Sequence, residues 1–92
     1  MKKSGNPVTG RRRELAFGRV LQQTRRERGL SQEDLGFDSG YHRTYISFLE
    51  RGKKSPSLST IMDLADTLQV PASEMIRRVE AALKPKVEPG KA

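Results

Sequence analysis

The sequence predicts an all-α domain of five helices. Three observations carry that expectation. Apolar residues recur at helical spacing between a polar start and a polar end, and no stretch alternates as a half-buried strand does. Glycine, serine and proline fall between the periodic runs, where they stop one helix and cap the next. The 92 residues are one domain's worth of chain, and at 34% hydrophobic they supply a single small core.

The opening MKKSGNPVTGRRR has no apolar period and reads as a flexible basic arm over residues 1–13. The first helix is expected from about Glu14 to Arg28, with Phe17, Val20, Leu21 and Thr24 sharing one face. Gly29 suits a left-handed stop. Ser31 then caps a short second helix, Gln32 to Asp38, and Asp34 is a weaker relative of the capping-box glutamate. A third helix runs from Arg43 to Arg51 and ends at Gly52, with His42 at its N-cap position. After the loop KKSP, Ser57 caps a fourth helix, Leu58 to Leu68, whose buried stripe is Leu58, Ile61, Ala65 and Leu68. Pro71 breaks the chain, and a fifth helix starts near Ala72 with Met75, Ile76, Val79 and Leu83 on its apolar face. The folded domain is expected over residues 14–84, with a disordered tail over 85–92.

Composition narrows the function. There is no cysteine and one histidine, so thiolate sites, disulfides and histidine clusters within the chain are excluded. No cofactor or metal is called for, no carboxylate pair has a recognisable acid–base spacing, and no glycine-rich phosphate loop precedes a helix, so no catalytic set is expected. No apolar run reaches the length of a membrane span, and the chain reads as soluble and cytoplasmic. The net charge of +7 suits a polyanionic partner. It is unevenly spread: residues 1–13 carry Lys2, Lys3, Arg11, Arg12 and Arg13 with no acid, whereas Glu33, Asp34, Asp38 and Glu50 outnumber Arg43 and Arg51 in the centre.

The stretch SQEDLGFDSGYHRTYISFLERGKKSP explains that centre. Gly40 can take positive φ and so permits a sharp turn after the second helix. Helices joined by such a turn cross steeply, and Gly36 offers the small side chain that a close crossing needs. Leu35, Ile46 and Leu49 anchor both helices inward, which leaves Arg43, Thr44, Ser47 and Phe48 together on the outer face of the third helix. That is the arrangement of a helix-turn-helix, whose second helix enters the DNA major groove.

The segment from about Phe17 to Ile76 resembles the phage repressor and Cro family of helix-turn-helix regulators, the Xre type. The resemblance rests on Phe17–Gly18, GLSQEDL from Gly29, Gly40, YIS from Tyr45, LERG from Leu49, and SPSLSTIMDLADTLQVP up to Pro71. It implies a compact, lambda-repressor-like five-helix domain that binds double-stranded DNA as a sequence-specific regulator, as a homodimer on a two-fold symmetric site. It also implies that Arg43, Thr44, Ser47 and Phe48 face base edges, that Gln32, Tyr45, Lys53, Lys54 and Ser55 sit against the DNA backbone, and that Arg25 and Glu50 form an internal ion pair; His42, from its N-cap position, reads as a cap or a neighbour of the DNA backbone phosphates.

The chain departs from the family at three places. Gly36 replaces the usual alanine, which weakens the second helix by about 1 kcal/mol of propensity. Phe37 stands where a charged residue is usual, and Pro71 replaces a polar cap. The fifth helix also runs past the minimal domain. Val79 and Leu83 are therefore candidates for a dimer seam, with packing onto the first helix as the alternative; Phe37 is the next candidate. The arm residues Arg11–Arg13 are either a solubilising tail or a minor-groove contact. The rival functional class is an antitoxin-like module that neutralises a partner protein through Phe37 or the end of the fifth helix. An RNA adaptor is less favoured, for want of exposed aromatic sheet positions.

Overall fold

A computed structural model describes residues 7–84. It contains α1 (Pro7–Glu27), α2 (Gln32–Ser39), α3 (Arg43–Glu50), α4 (Leu58–Leu68) and α5 (Ala72–Leu83), with no strand among the described residues. The all-α expectation holds, and each helix lies where the periodicity places it. The largest boundary difference is at the start of α1, which begins at Pro7 rather than Glu14. Proline suits the first helical position, and Arg11–Arg13 are good helix formers. Residues 7–13 of the expected arm are therefore the first turns of α1. Residues 1–6 and the expected tail, 85–92, lie outside the described residues.

The local signals work as their chemistry requires. The Ser31 hydroxyl accepts the Asp34 N–H at 2.9 Å and the Asp34 carboxylate accepts the Ser31 N–H at 3.0 Å, which closes the capping box of α2. The donated N–H holds the Asp34 carboxyl below its ordinary range. Ser57 caps α4 through the Thr60 N–H at 3.0 Å. Pro71 starts α5 with no side-chain cap.

Phe17, Val20 and Leu21 of α1, Leu35 of α2, Ile46 and Leu49 of α3, Leu64, Ala65 and Leu68 of α4, and Met75 and Val79 of α5 meet in one core. α1 packs on α3 and α5, and α2 packs on α3 and α4. Each fully buried leucine or isoleucine contributes about 1.5–3 kcal/mol relative to exposure.

One apolar assignment on α4 changes. Leu58 is 72% exposed, because Thr60 and Leu64 take the inward sector of the first turns of α4 and Leu58 falls at its edge. Val79 is buried in the core and Leu83 packs partly against it, so the end of α5 lies on its own protomer.

α1 also passes α3 more closely than any pattern suggests. A Cβ at Gly18 would stand 2.5 Å from the carbonyl oxygens of Leu49 and Glu50.

Candidate nucleic-acid interface

The turn between α2 and α3 depends on two glycines. Gly40 has φ +85° and ends α2 in the left-handed region, donating its N–H to Phe37 O at 3.4 Å. Nothing lies within 4 Å of a Cβ built there, so backbone conformation alone calls for glycine. Gly36 serves the crossing: a Cβ would stand 2.6 Å from the Tyr41 carbonyl oxygen. The usual alanine would therefore gain helix propensity and lose this close contact.

With Leu35, Ile46 and Leu49 fully buried, α3 turns its other face outward. Arg43 and Thr44 are exposed, and Ser47 and Phe48 are half-buried one turn later on the same stripe. His42 caps α3: its Nδ1 accepts the Thr44 N–H at 3.0 Å, so in the neutral ring Nε2 carries the proton and is left as a donor. Lys53, Lys54 and Ser55 are exposed together in the loop between α3 and α4.

Tyr45 is half-buried. Its ring stands 5.4 Å from that of Tyr41, and its hydroxyl lies 3.5 Å from Thr60 Oγ1. The Tyr41 hydroxyl donates to the Asp63 carboxylate at 2.6 Å, and that bond raises the pKa of the phenol. These contacts tie the first turn of α3 to α4.

Glu50 is the hub beneath this surface. Arg25 Nε donates to its Oε2 at 2.6 Å and Arg25 Nη2 to its Oε1 at 3.0 Å, a forked pair with side chains 9% and 1% exposed. Gln32 Nε2 adds a bond to Oε1 at 2.9 Å and Gln22 Nε2 another at 3.4 Å. Arg25 Nη1 also donates to Leu30 O at 2.7 Å. The hydrogen bonds to Glu50 push the Arg25 guanidinium pKa further up, so it stays charged. The Arg25–Glu50 pair thus joins α1, the loop after it, the first residue of α2 and the last of α3. The ion pair implied by the resemblance is present. Gln32's side chain is committed to it, and the N-terminal end of α2 is what remains to face outward there.

Arg51 was not among the expected contacts. Its guanidinium lies 5.2 Å from the centroid of the Phe48 ring and its Nε donates to Ser47 O at 3.4 Å. Position i+4 from Ser47 and i+3 from Phe48 was the available signal. Phe37 is 86% exposed on α2. Among the described residues no group of three or more His, Cys, Asp or Glu is placed to hold a metal, and no helix is long and apolar enough to cross a membrane.

Comparisons with known proteins agree with this geometry. The family model described as helix-turn-helix matches residues 21–75. The control protein C.BamHI of Bacillus amyloliquefaciens is 38% identical over 63 residues, covering 67% of this chain and 78% of that protein. The crystal structure of the restriction-modification controller protein C.AhdI from Aeromonas hydrophila is similar with TM-score 0.66 and 40% identity, over 67% of this chain and 94% of that one. The controller protein C.Esp1396I, solved as a tetramer with its natural 35 base-pair operator, matches with TM-score 0.70 and 26% identity, over 76% of this chain and 92% of that one. A buried helix-turn-helix frame with a polar outer stripe on its second helix, in a chain matched over more than half its length, places this protein: it belongs to the phage repressor and Cro-like (Xre-type) helix-turn-helix family of DNA-binding transcriptional regulators.

Proposed function

We propose that the chain is a sequence-specific regulator that binds a two-fold symmetric duplex operator as a homodimer. The observation that supports this best is the outer stripe of α3. Arg43, Thr44, Ser47 and Phe48 project from a short helix held from behind by Ile46, Leu49 and the Arg25–Glu50 pair. Arg43 is assigned to guanine O6 and N7 and Phe48 to a thymine methyl. His42 Nε2–H, Tyr45, Lys53, Lys54, Ser55 and the N-terminal end of α2 at Gln32 are assigned to the phosphate backbone.

The second copy is assigned to an apolar groove of about 220 Å³ lined by Phe17, Pro56, Ile61, Ile76 and Val79. Ile76, at 39% exposure, is the most exposed large apolar side chain that lines it. Glu14 lines the groove and has one buried carboxylate oxygen without a protein partner, an acceptor for a donor from the other protomer. The groove also reaches Ser55 beside the loop after α3. A two-fold copy seated there sets the recognition helices side by side, to meet half-sites about 34 Å apart.

Binding is tested on an operator selected from a random duplex pool, and on random DNA. Arg43→Ala is expected to lose about 1–3 kcal/mol on the selected site, much less on random DNA, and to relax the choice at one base per half-site. Lys53→Ala with Lys54→Ala is expected to weaken both DNAs alike. Equal loss on both DNAs for Arg43→Ala sinks the assignment of α3 as reader. Ile76→Glu is expected to give a folded monomer in sedimentation; a persistent dimer moves the seam.

A second reading, the antitoxin-like module, is favoured by the bare Phe37 ring. A neighbouring-gene product that co-purifies with the chain, and is lost on Phe37→Ser with DNA affinity intact, supports it.

A further inference from the structure

The three arginines at the start of α1 do not form one undirected charge. Successive helix positions are about 100° apart, so Arg11, Arg12 and Arg13 project in different directions. Arg12 Nη2 donates to Leu83 O at 3.0 Å and so caps the C-terminal end of α5. Arg13 lines the apolar groove with Ser55 and Pro56. Arg11 lies one turn before Leu15 and two turns before Gly18, on the face of α1 that crosses the end of α3.

That crossing orients the face of α1 on which Arg11 lies. Gly18 faces the carbonyls of Leu49 and Glu50, and a Cβ on Gly52 would stand 2.6–3.1 Å from Leu15. The outer stripe of α3 runs Arg43, Ser47, Arg51 and then reaches Gly52. Leu15 of α1 covers Gly52, the residue before Lys53 and Lys54, and Arg11 precedes Leu15 by one helical turn on the same face. All four cations of this edge, Arg11, Arg51, Lys53 and Lys54, are exposed.

We propose that Arg11 is a DNA phosphate contact, which with Arg51, Lys53 and Lys54 forms a basic edge that extends the DNA footprint past the C-terminal end of the recognition helix. The inference rests on the duplex-binding reading above and deepens it. Because α1 is helical from Pro7, the guanidinium is presented on a helix and not on a free arm. Arg12 secures that element to α5. The division of labour is then grip by Arg11 and docking by Arg12.

The probe is a random-sequence 30-base-pair duplex (about three turns), because a phosphate contact carries no sequence information. Affinity is measured from 50 to 200 mM salt for the full chain and for Arg11→Gln, Arg11→Lys, Arg12→Gln and Arg19→Gln. Arg11→Gln is expected to flatten the log–log salt slope by about 0.9 units, so that it loses about 3.5-fold less affinity than the parent across this range. Arg11→Lys keeps the slope, because a point charge suffices for a phosphate. Arg12→Gln keeps the slope and lowers the melting temperature, and Arg19→Gln, on the exposed face of α1, changes neither. A parent chain with no salt-dependent affinity for the duplex sinks the DNA-binding reading itself. A parent that binds while Arg11→Gln keeps the full slope overturns this inference and leaves that reading standing, as does a slope lost equally in Arg11→Gln and Arg19→Gln.

Discussion

Replacing Arg25 with methionine removes both forked bonds to Glu50 and leaves the carboxylate, 1% exposed, among neutral donors. Gln32 at 2.9 Å and Gln22 at 3.4 Å still point amides at it, but neither carries the balancing charge. Stranding one member of a buried pair costs about 3–5 kcal/mol. Glu50→Gln strands the guanidinium instead and falls in the same range, with some relief from the bond to Leu30 O. Small domains have about 5–15 kcal/mol in all, so either variant lies close to unfolding. Urea denaturation followed by far-UV circular dichroism reads this directly. At about 1 kcal/mol per molar urea for a chain this short, the midpoint falls by about 3 M or more. The double variant Arg25→Met with Glu50→Met replaces the pair by apolar groups and is expected to recover most of the loss. Gln32→Ala removes a single bond to the carboxylate and is expected to cost about 1.5–3 kcal/mol. If both single variants stay within about 1 kcal/mol of the parent, the range of exposed pairs, the pair is not the hub described here. A double variant whose loss equals the sum of the two singles has the same meaning.

Gly40→Val places a β-branched residue at φ +85° and is expected to cost well over 1 kcal/mol, whereas Gly40→Asn costs less, because asparagine tolerates the left-handed region; equal melting temperatures for the two refute the backbone argument. Gly18→Ala drives a methyl to 2.5 Å from two carbonyl oxygens and is expected to lose about 1–3 kcal/mol in denaturant melts despite its better helix propensity; a stabilised variant shows that α1 is free to shift. Glu74 accepts from Arg77 at 2.7 and 2.9 Å and from Arg78 at 3.0 Å, and these bonds lower its pKa from 4.5 to about 2. A depressed carboxylate stabilises the fold above its ordinary pKa, and that contribution fades as pH falls from 4.5 towards about 2. An NMR titration of the Glu74 side chain that gives a midpoint near the ordinary value, in the parent as in Arg77→Ala, contradicts the pairing.

Much of this molecule was legible in the sequence because much of it is local. Caps at Ser31 and Ser57, the left-handed stop at Gly40 and the 3.6-residue period all act within four positions along the chain. The split of α3 into an inner Ile46 and Leu49 and an outer Arg43, Thr44, Ser47 and Phe48 follows from that period alone. The Arg25–Glu50 pair joins residues 25 apart, and no spacing rule reaches that far; it was foreseen only through the family resemblance.

The tertiary structure decided what covers each face. The period marks Leu58 and Val79 alike as apolar, yet one is 72% exposed and the other is in the core, because burial depends on where the neighbouring helices end. It also decided that Gln32's amide turns inward to Glu50 and that Gly18 faces backbone rather than a side chain. Each is a contact between segments brought together by folding, where the partner, and not the residue's own character, sets its role.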